Sequence, residues 1–342
     1  MAYEDAMIIN QESIMPGEHK TIMLPMPKLN DWTGLSMPVY VFRGKQQGPT
    51  LTITGAIHGD EVNGIEVVRR LLKSKFLKNI SGTLIAVPVV NVFGFLYQSR
   101  YLMDRRDLNR CFPGLEKGSL AARLAFMLTN EIINKTTHMI DLHSGSLNRS
   151  NFPQIRCDAD NPEVFKIAHA FNVPVILRAA LREGSLRKYA YENNIPFLLY
   201  EAGESMRFDE TAIATGLNGI LNVMQELEMI TGKKKIFKDM NPTISRNSYW
   251  LRAPHSGIFH PFKSLGKSVK KGELLANIGN PMSTEEHKLI SPISGVIIGK
   301  NNLPVVHEGA ALYHVASFEE NKEVADQIEY LQSFYDGGSE DL

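Results

Sequence analysis

Between residues 38 and 229 the sequence switches repeatedly between short apolar runs and longer stretches with helical spacing. This alternation constrains the fold more than any other feature. The segments 38–42 (PVYVF), 50–57 (TLTITGAI), 83–90 (TLIAVPVV), 138–143 (HMIDLH), 174–178 (PVILR) and 196–203 (PFLLYEAG) have the length and apolar content of buried strands. Residues 64–76, 120–134, 185–194 and 210–229 read as helices, the first with Ile65, Val68, Leu71 and Leu72 on one face. Strands that alternate with helices predict an α/β fold, a mostly parallel mixed sheet flanked by helices. In such sheets ligands gather beyond the carboxyl ends of strands. His58, His143 and Glu201 all lie at or just past such ends.

The pattern changes near residue 235. A basic, turn-rich junction (KKKIFKDMNP) is followed by short strands separated by glycine turns, as in SGIFHPF, SPISGVIIG and GAALYHVA. Three regions are therefore expected: an α/β domain over 1–240, an all-β, barrel-sandwich-like C-terminal domain over 246–320, and an acidic helical tail over 321–342. SGIFHPF and SGVIIGK look like an internal duplication. Biotinyl- and lipoyl-carrying domains share this cadence and present their lysine in a tight hairpin. The matching stretch here, EEHKLISP, has Lys288 without the flanking Met-Lys-Met pattern, so a carrier role is rejected. The β region is expected instead to rest on the α/β domain and narrow access to its site.

Length and charge exclude several classes. A chain of 342 residues with 43% hydrophobic and 22% charged residues can bury a large core without covalent staples. Lys plus Arg and Asp plus Glu both total 37, so no general nucleic-acid or membrane-surface binder is expected. Cys111 and Cys157 fall in no metal or redox spacing, which suits a reducing compartment. The start, MAYEDAMIINQESIMPGEHK, has no basic residues ahead of a long apolar stretch, so no secretory signal is expected. No uncharged apolar run reaches the roughly 18 residues of a membrane span, and a cytoplasmic location is expected.

The segment GAIHGDEVNG (55–64) places His58 and Glu61 three residues apart at a strand-to-helix turn, where both side chains can converge on one point. Catalytic zinc commonly takes three protein ligands, His₂Glu among them, and keeps a position for water. A His-x-x-Glu pair alone is common. His143, in DLHSG after a second strand, supplies a third candidate ligand. Asp141 shares a face with His143 in an extended chain and is placed to orient a liganding histidine or shape a polar floor. Asp60 is expected to point away and cap the following helix.

Four segments, GAIHGDEVNG, RYLMDRRDLNRCFPG, MIDLHSG and LLYEAG, together resemble the succinylglutamate desuccinylase/aspartoacylase family of zinc carboxypeptidase-like hydrolases. They stand in the family's order across about residues 40 to 230, and the β-rich region resembles the family's C-terminal domain. The resemblance implies a zinc carboxypeptidase-like fold and one Zn2+ per chain held by His58, Glu61 and His143. It implies Glu201 as the acid/base that moves a proton from an activated water to the leaving amine. It also implies that Asn109 and Arg110 hold a substrate carboxylate, for which an arginine fork is suited. Arg100 looks like the arginine that polarises the scissile carbonyl, with Arg106 second because the loop carries additional arginines. Arg178 and Arg182 follow the strand PVILR and stay unassigned. The expected function is deacylation of a small N-acyl amino acid or related amine whose substrate carries a carboxylate, with no nucleic-acid or membrane partner; a homo-oligomer is compatible with it. A zinc carboxypeptidase acting on peptide ends is the alternative enzyme, and a non-catalytic metal- or ligand-binding protein is the alternative of another class.

Overall fold

A computed structural model describes residues 5–232, 240–245 and 247–336. The basic stretch 233–239, Arg246, the first four residues and 337–342 lie outside the described residues. The hairpin β1 (Met7–Ile9) and β2 (Glu12–Ile14) precedes β3 (His19–Met26) and β4 (Leu35–Arg43), which pair antiparallel. Next come β5 (Gln46–Gly55), α1 (Val62–Leu72), β6 (Ser81–Val87), α2 (Val92–Leu96), α3 (Leu120–Glu131) and β7 (His138–Gly145). They are followed by β8 (Arg149–Cys157), α4 (Pro162–Phe171), β9 (Val175–Arg178), α5 (Leu186–Glu192), β10 (Phe197–Glu204) and α6 (Glu210–Glu226). The C-terminal third holds β11 (Thr243–Ser245), β12 (Asn247–Arg252), β13 (Gly257–Pro261), β14 (Ser268–Val269), β15 (Leu274–Gly279) and β16 (Glu286–Ile290). It ends with β17 (Gly295–Asn301), β18 (Val305–Val306), β19 (Ala311–Ser317) and α7 (Asn321–Asp336).

One large mixed sheet runs in the order β12-β19-β17-β8-β10-β7-β5-β6-β4-β3, with β9, β11 and β14 attached beside it. Its centre, β10-β7-β5-β6, is parallel, as the strand–helix alternation predicts. Every residue of β7 is buried, whereas the edge strand β3 alternates between exposed and buried side chains. On one face α1, α4 and α6 bury Val68, Leu71, Ile167, Phe171, Ile220 and Val223. On the other, α3, α5 and the β1–β2 hairpin bury Leu124, Leu128, Leu186, Ala190, Ile9 and Ile14. Both faces of the central strands are thus dry, which forces polar chemistry to the strand ends.

Two helix ends differ from the sequence pattern. The first helix stops at Leu72, and residues Lys75–Asn79 form a separate 3₁₀ turn started by Ser74. The third stops at Glu131, with a further 3₁₀ turn at Ile133–Lys135. Apolar periodicity continues through both turns, so spacing alone extends the helices.

The C-terminal strands continue the large sheet rather than only leaning on it. β17 pairs antiparallel with β8, bringing Gly299 opposite Asn151, and β19 and β12 extend the sheet beyond it. A four-stranded sheet, β16-β15-β13-β18, packs alongside. Lys288 is exposed in the middle of β16, opposite Asn277, and not at a hairpin tip, in keeping with rejection of a carrier role.

β12 and β19 meet at Trp250 and His314, whose rings stack with centroids 4.5 Å apart and an interplanar angle of 11°. Burial, reinforced by Arg156, pushes the His314 pKa down to about 3. Unfolded histidine titrates near 6.5, so between that pH and about 3 only the unfolded chain binds this proton. The stability contributed is complete above pH 6.5 and is lost as pH falls through that window. Urea unfolding of His314→Gln should therefore depend less steeply on pH between 6.5 and 4 than the parent, by up to about 1.4 kcal/mol per pH unit. Parallel profiles would contradict a buried neutral His314.

Glycine spacing shapes the turn after β5. A Cβ added at Gly59 would sit 1.9 Å from the backbone carbon of Gly94 and 2.1 Å from Phe95 N, so the turn packs backbone on backbone. Gly59→Ala should lower stability by about 1–3 kcal/mol in urea unfolding. Gly34→Ala, with open space around it, should stay within about 0.5 kcal/mol.

Candidate active site

The chain leaves β5 at Gly55 and turns so that Glu61 N donates to His58 O at 3.2 Å, just before α1 begins. That turn aims His58 and Glu61 together, and β7, paired parallel with β5, carries His143 toward them. All three are buried, at 3%, 1% and 5% exposure. His58 Nδ1 lies 2.8 Å from Glu61 Oε1, and His143 Nδ1 lies 2.9 Å from Glu61 Oε2. One potential ligand atom from each residue lies within 4.8 Å of the other two, so the three are positioned to bind a metal ion.

The outward ring nitrogens decide the chemistry of this cluster. His58 Nε2 is 3.2 Å from Asp107 Oδ1, and His143 Nε2 is 2.7 Å from Asp141 Oδ2. A carboxylate only accepts, so each neutral imidazole carries its hydrogen on Nε2 and leaves a lone pair on Nδ1. Arg100, which only donates, places Nη1 3.3 Å from His58 Nδ1, consistent with that tautomer. Two bare nitrogens and a carboxylate therefore face one point, and Glu61 Oε2 has no hydrogen-bond partner. Such a donor set repels itself unless a cation joins it, and it fits a divalent ion with His₂Glu ligands.

Electrostatics agree. Burial opposes charge on all three groups, but their mutual attraction outweighs it. Glu61 is held far below the usual carboxylate range by His58 and His143. His143 is raised well above the usual histidine value by Asp141 and Glu61, and His58 is raised by Glu61 and Asp107. The cluster draws positive charge to itself, as protons or as metal.

Asp60 departs from its expected role. The residue before α1 is Glu61, whose side chain is committed to the histidines, and no side chain caps that helix. Asp60 is buried with Oδ1 unpartnered, while its carbonyl accepts from Met206 N at 2.8 Å. That backbone tie holds it one residue too early to reach the first turn. Asp141 does reach His143, and Thr54 Oγ1 donates to its other oxygen at 2.6 Å.

The loop after α2 brings in the arginines. Arg100 Nη2 donates to Asp107 Oδ2 at 2.9 Å and Nη1 lies 3.6 Å from Glu61 Oε1. Arg106 points away, 3.7 Å from Asp104 and largely exposed, so Arg100 is the arginine beside the cluster. Asp107, which no motif singled out, ties His58, Arg100 and the Asn109 backbone amide together. Its position two residues before Asn109 carried no independent signal. Asn109 is buried, and its Oδ1 accepts from Leu186 N at 2.9 Å, which leaves its NH₂ to donate elsewhere.

Glu201 stands opposite His143 in the parallel pairing of β10 with β7. Its carboxylate accepts from Asn151 Nδ2 at 3.0 Å and pairs with Arg156 at 3.2 Å. Neither partner was singled out from sequence. A bulge explains why: Glu201 pairs with Gln154 and Gly203 with Asn151, so β8 carries one extra residue between them. Asn151 and Arg156 consequently share a face although their spacing breaks the two-residue alternation.

His58, Glu61, His143, Arg100 and Glu201 line one cavity of about 410 Å³, as do Asn109 and Arg110. Arg182 lines it too, whereas Arg178 is paired with Asp160 at 2.7 Å and does not. Trp250 on β12 also lines its wall. A volume of this order suits a small molecule.

Residues 47–227 match the family model of the succinylglutamate desuccinylase/aspartoacylase catalytic domain. The chain belongs to that family. This desuccinylase/aspartoacylase chain is 27% identical over 272 residues to an N-alpha-acetyl-L-2,4-diaminobutyric acid deacetylase from Halomonas elongata, covering 75% of this chain and 78% of the relative. Its fold is that of a succinylglutamate desuccinylase/aspartoacylase from Rhodobacter sphaeroides (TM-score 0.79, 24% identity, 88% and 95% of the two chains). It is equally that of the product-bound ectoine utilization protein EutE (DoeB) from Ruegeria pomeroyi (TM-score 0.81, 23% identity, 92% and 99%).

The two carboxylates behind the histidines give this family member a direct check. Asp107→Ala and Asp141→Ala should each weaken metal affinity by about 10- to 100-fold in competition with a chelating dye. Affinity unchanged in both would show that the imidazoles need no outer partner.

Proposed function

We propose that the protein is a zinc-dependent amidohydrolase that cleaves the acyl group from a small N-acyl amino acid or related N-acylated amine. The observation that carries this reading is the meeting of two bare imidazole nitrogens with the Glu61 carboxylate in a cavity that also holds Glu201. His58, Glu61 and His143 would hold one Zn2+, which supplies Lewis acidity to a water molecule and to a carbonyl oxygen. Family membership and the acylated amino acid named for the Halomonas relative support the substrate class.

The protein's own groups divide the work. Glu201, fixed by Asn151 and Arg156, accepts a proton from the attacking water. Arg100, fixed by Asp107, donates to the carbonyl oxygen as negative charge builds there. As the C–N bond breaks, the proton on Glu201 passes to the leaving nitrogen, giving a carboxylic acid and a free amine. Asn109 and Arg110 hold the substrate's carboxylate and keep the amide in register. Among the described residues no helix is long and apolar enough to cross a membrane, and both cysteines are free thiols. A cytoplasmic location is part of this proposal, and the free thiols, which suit a reducing compartment, support it.

Release of free amine from a panel of acetyl, formyl and succinyl amino acids, with zinc supplied, tests the reading. At least one should be cleaved with multiple turnovers. Glu201→Gln should lower kcat by about 100- to 10,000-fold while metal content stays at the parent's level. No cleavage across the panel, or full activity in that variant, would overturn it.

A further inference from the structure

The sheet beside Glu201 contains a glycine that its backbone conformation does not require. Gly203, Asn151, Gly299, His314 and Trp250 stand opposite one another in turn across β10, β8, β17, β19 and β12. Two of these strands are bulged at this row. β8 carries its extra residue between Asn151 and Gln154, and β17 carries one between Ile297 and Gly299. Bulges next to active sites re-aim side chains. Gly299 is buried inside β17, where glycine is a poor strand former, and its φ is not in the left-handed region that favours glycine. Space is what excludes a side chain there. A Cβ at Gly299 would lie 2.9 Å from Asn151 Oδ1, 3.0 Å from His314 Cβ and 3.3 Å from Trp250 Cη2. An amide, an imidazole and an indole from three different strands thus meet over one glycine.

Asn151 gives this packing a chemical consequence. Its Nδ2 donates to Glu201 Oε1 at 3.0 Å, whereas its Oδ1 is buried without a hydrogen-bond partner. A carboxylate only accepts, so the amide cannot turn over and still bind Glu201. With no bond at the oxygen, the amide is oriented by what packs against that end. Gly299 leaves the oxygen its room, and the stacked Trp250 and His314 rings, 4.5 Å apart, close the same space from the far strands.

We propose that Gly299 is a positioning residue for the reaction: by leaving room for the Asn151 oxygen it aims the Asn151 NH₂ at Glu201 and so fixes where that carboxylate takes up and returns its proton. This rests on the deacylase reading and deepens it. A methyl group at Gly299 meets side-chain atoms first, and the end of the Asn151 side chain yields more easily than backbone. The strand therefore survives the substitution while the amide is displaced. Misplacing a catalytic group by about 1 Å costs about 100-fold in rate, so a smaller displacement through one hydrogen bond should cost about 10-fold.

Steady-state kinetics of zinc-loaded Gly299→Ala test this on whichever acyl amino acid the parent cleaves. Gly279→Ala is the control, since a Cβ there meets nothing within 4 Å. Gly299→Ala should lower kcat about 10-fold with KM within about 2-fold, and Gly279→Ala should change neither. In an Asn151→Ala background the Gly299→Ala substitution should cost less than about 2-fold more. An unchanged kcat in Gly299→Ala, or the full loss again in the Asn151→Ala background, overturns the proposal. If Gly299→Ala alone does not fold, recovery of folding in the double variant assigns the clash to Asn151 and upholds it, whereas failure of both overturns it. The crystal structure of Gly299→Ala separates this from failure of the deacylase reading. Asn151 Nδ2 should stand more than about 3.5 Å from the Glu201 carboxylate, beyond hydrogen-bond reach. That displacement in a protein that cleaves no acyl amino acid removes the deacylase and leaves Gly299 as the residue that places Asn151. An amide still bonded to Glu201 removes the role of Gly299 whatever the activity.

Discussion

A carboxylate removed from water between two imidazoles governs the whole molecule. Burying Glu61 is costly, and its closest neighbours, His58 and His143, are equally cut off from solvent. Their outward nitrogens are already committed to Asp107 and Asp141, so the neutral imidazoles have no hydrogen on the inner side to meet the carboxylate. The three groups can share that space only with added positive charge. Everything around them follows from this need, including the acids behind the histidines and the guanidinium of Arg100 beside them.

The fold delivers these side chains by economical means. A parallel sheet buried on both faces exposes polar groups only at strand ends, and β5, β7 and β10 lie side by side there. The turn beyond β5 supplies His58 and Glu61, β7 supplies His143 and β10 supplies Glu201. The C-terminal strands then lengthen the same sheet through β17 and β8, which carries Trp250 to the cavity wall and holds Asn151 and Arg149 from behind. A wall made by continuing a sheet is stiffer than one made by a docked loop, since backbone hydrogen bonds cross the join.

Much of this was legible in the residues. The alternation of apolar runs with helical spacing gave the central sheet, because strands buried on both faces leave an unmistakable apolar trace. His58, Glu61 and His143 stood out because polar residues at the ends of such runs have no packing role. What escaped notice depended on contacts between distant segments. Asp107 reaches His58 across 49 residues. Asn151 and Arg156 were hidden by the β8 bulge, which breaks the alternation that marks a shared face. Trp250 comes from a strand whose only local signal is that of an ordinary edge. Asp60 was misread because a carboxylate before a helix usually caps it, whereas here the turn that aims His58 and Glu61 delays the helix start.

The most direct measurement is anomalous X-ray scattering at the zinc edge from crystals of the zinc-loaded protein. One peak per chain is expected, about 2.0–2.2 Å from His58 Nδ1, His143 Nδ1 and a Glu61 oxygen. A peak on the opposite ring nitrogens, or none at all with the three side chains in the positions described, would contradict the cation requirement on which the rest stands.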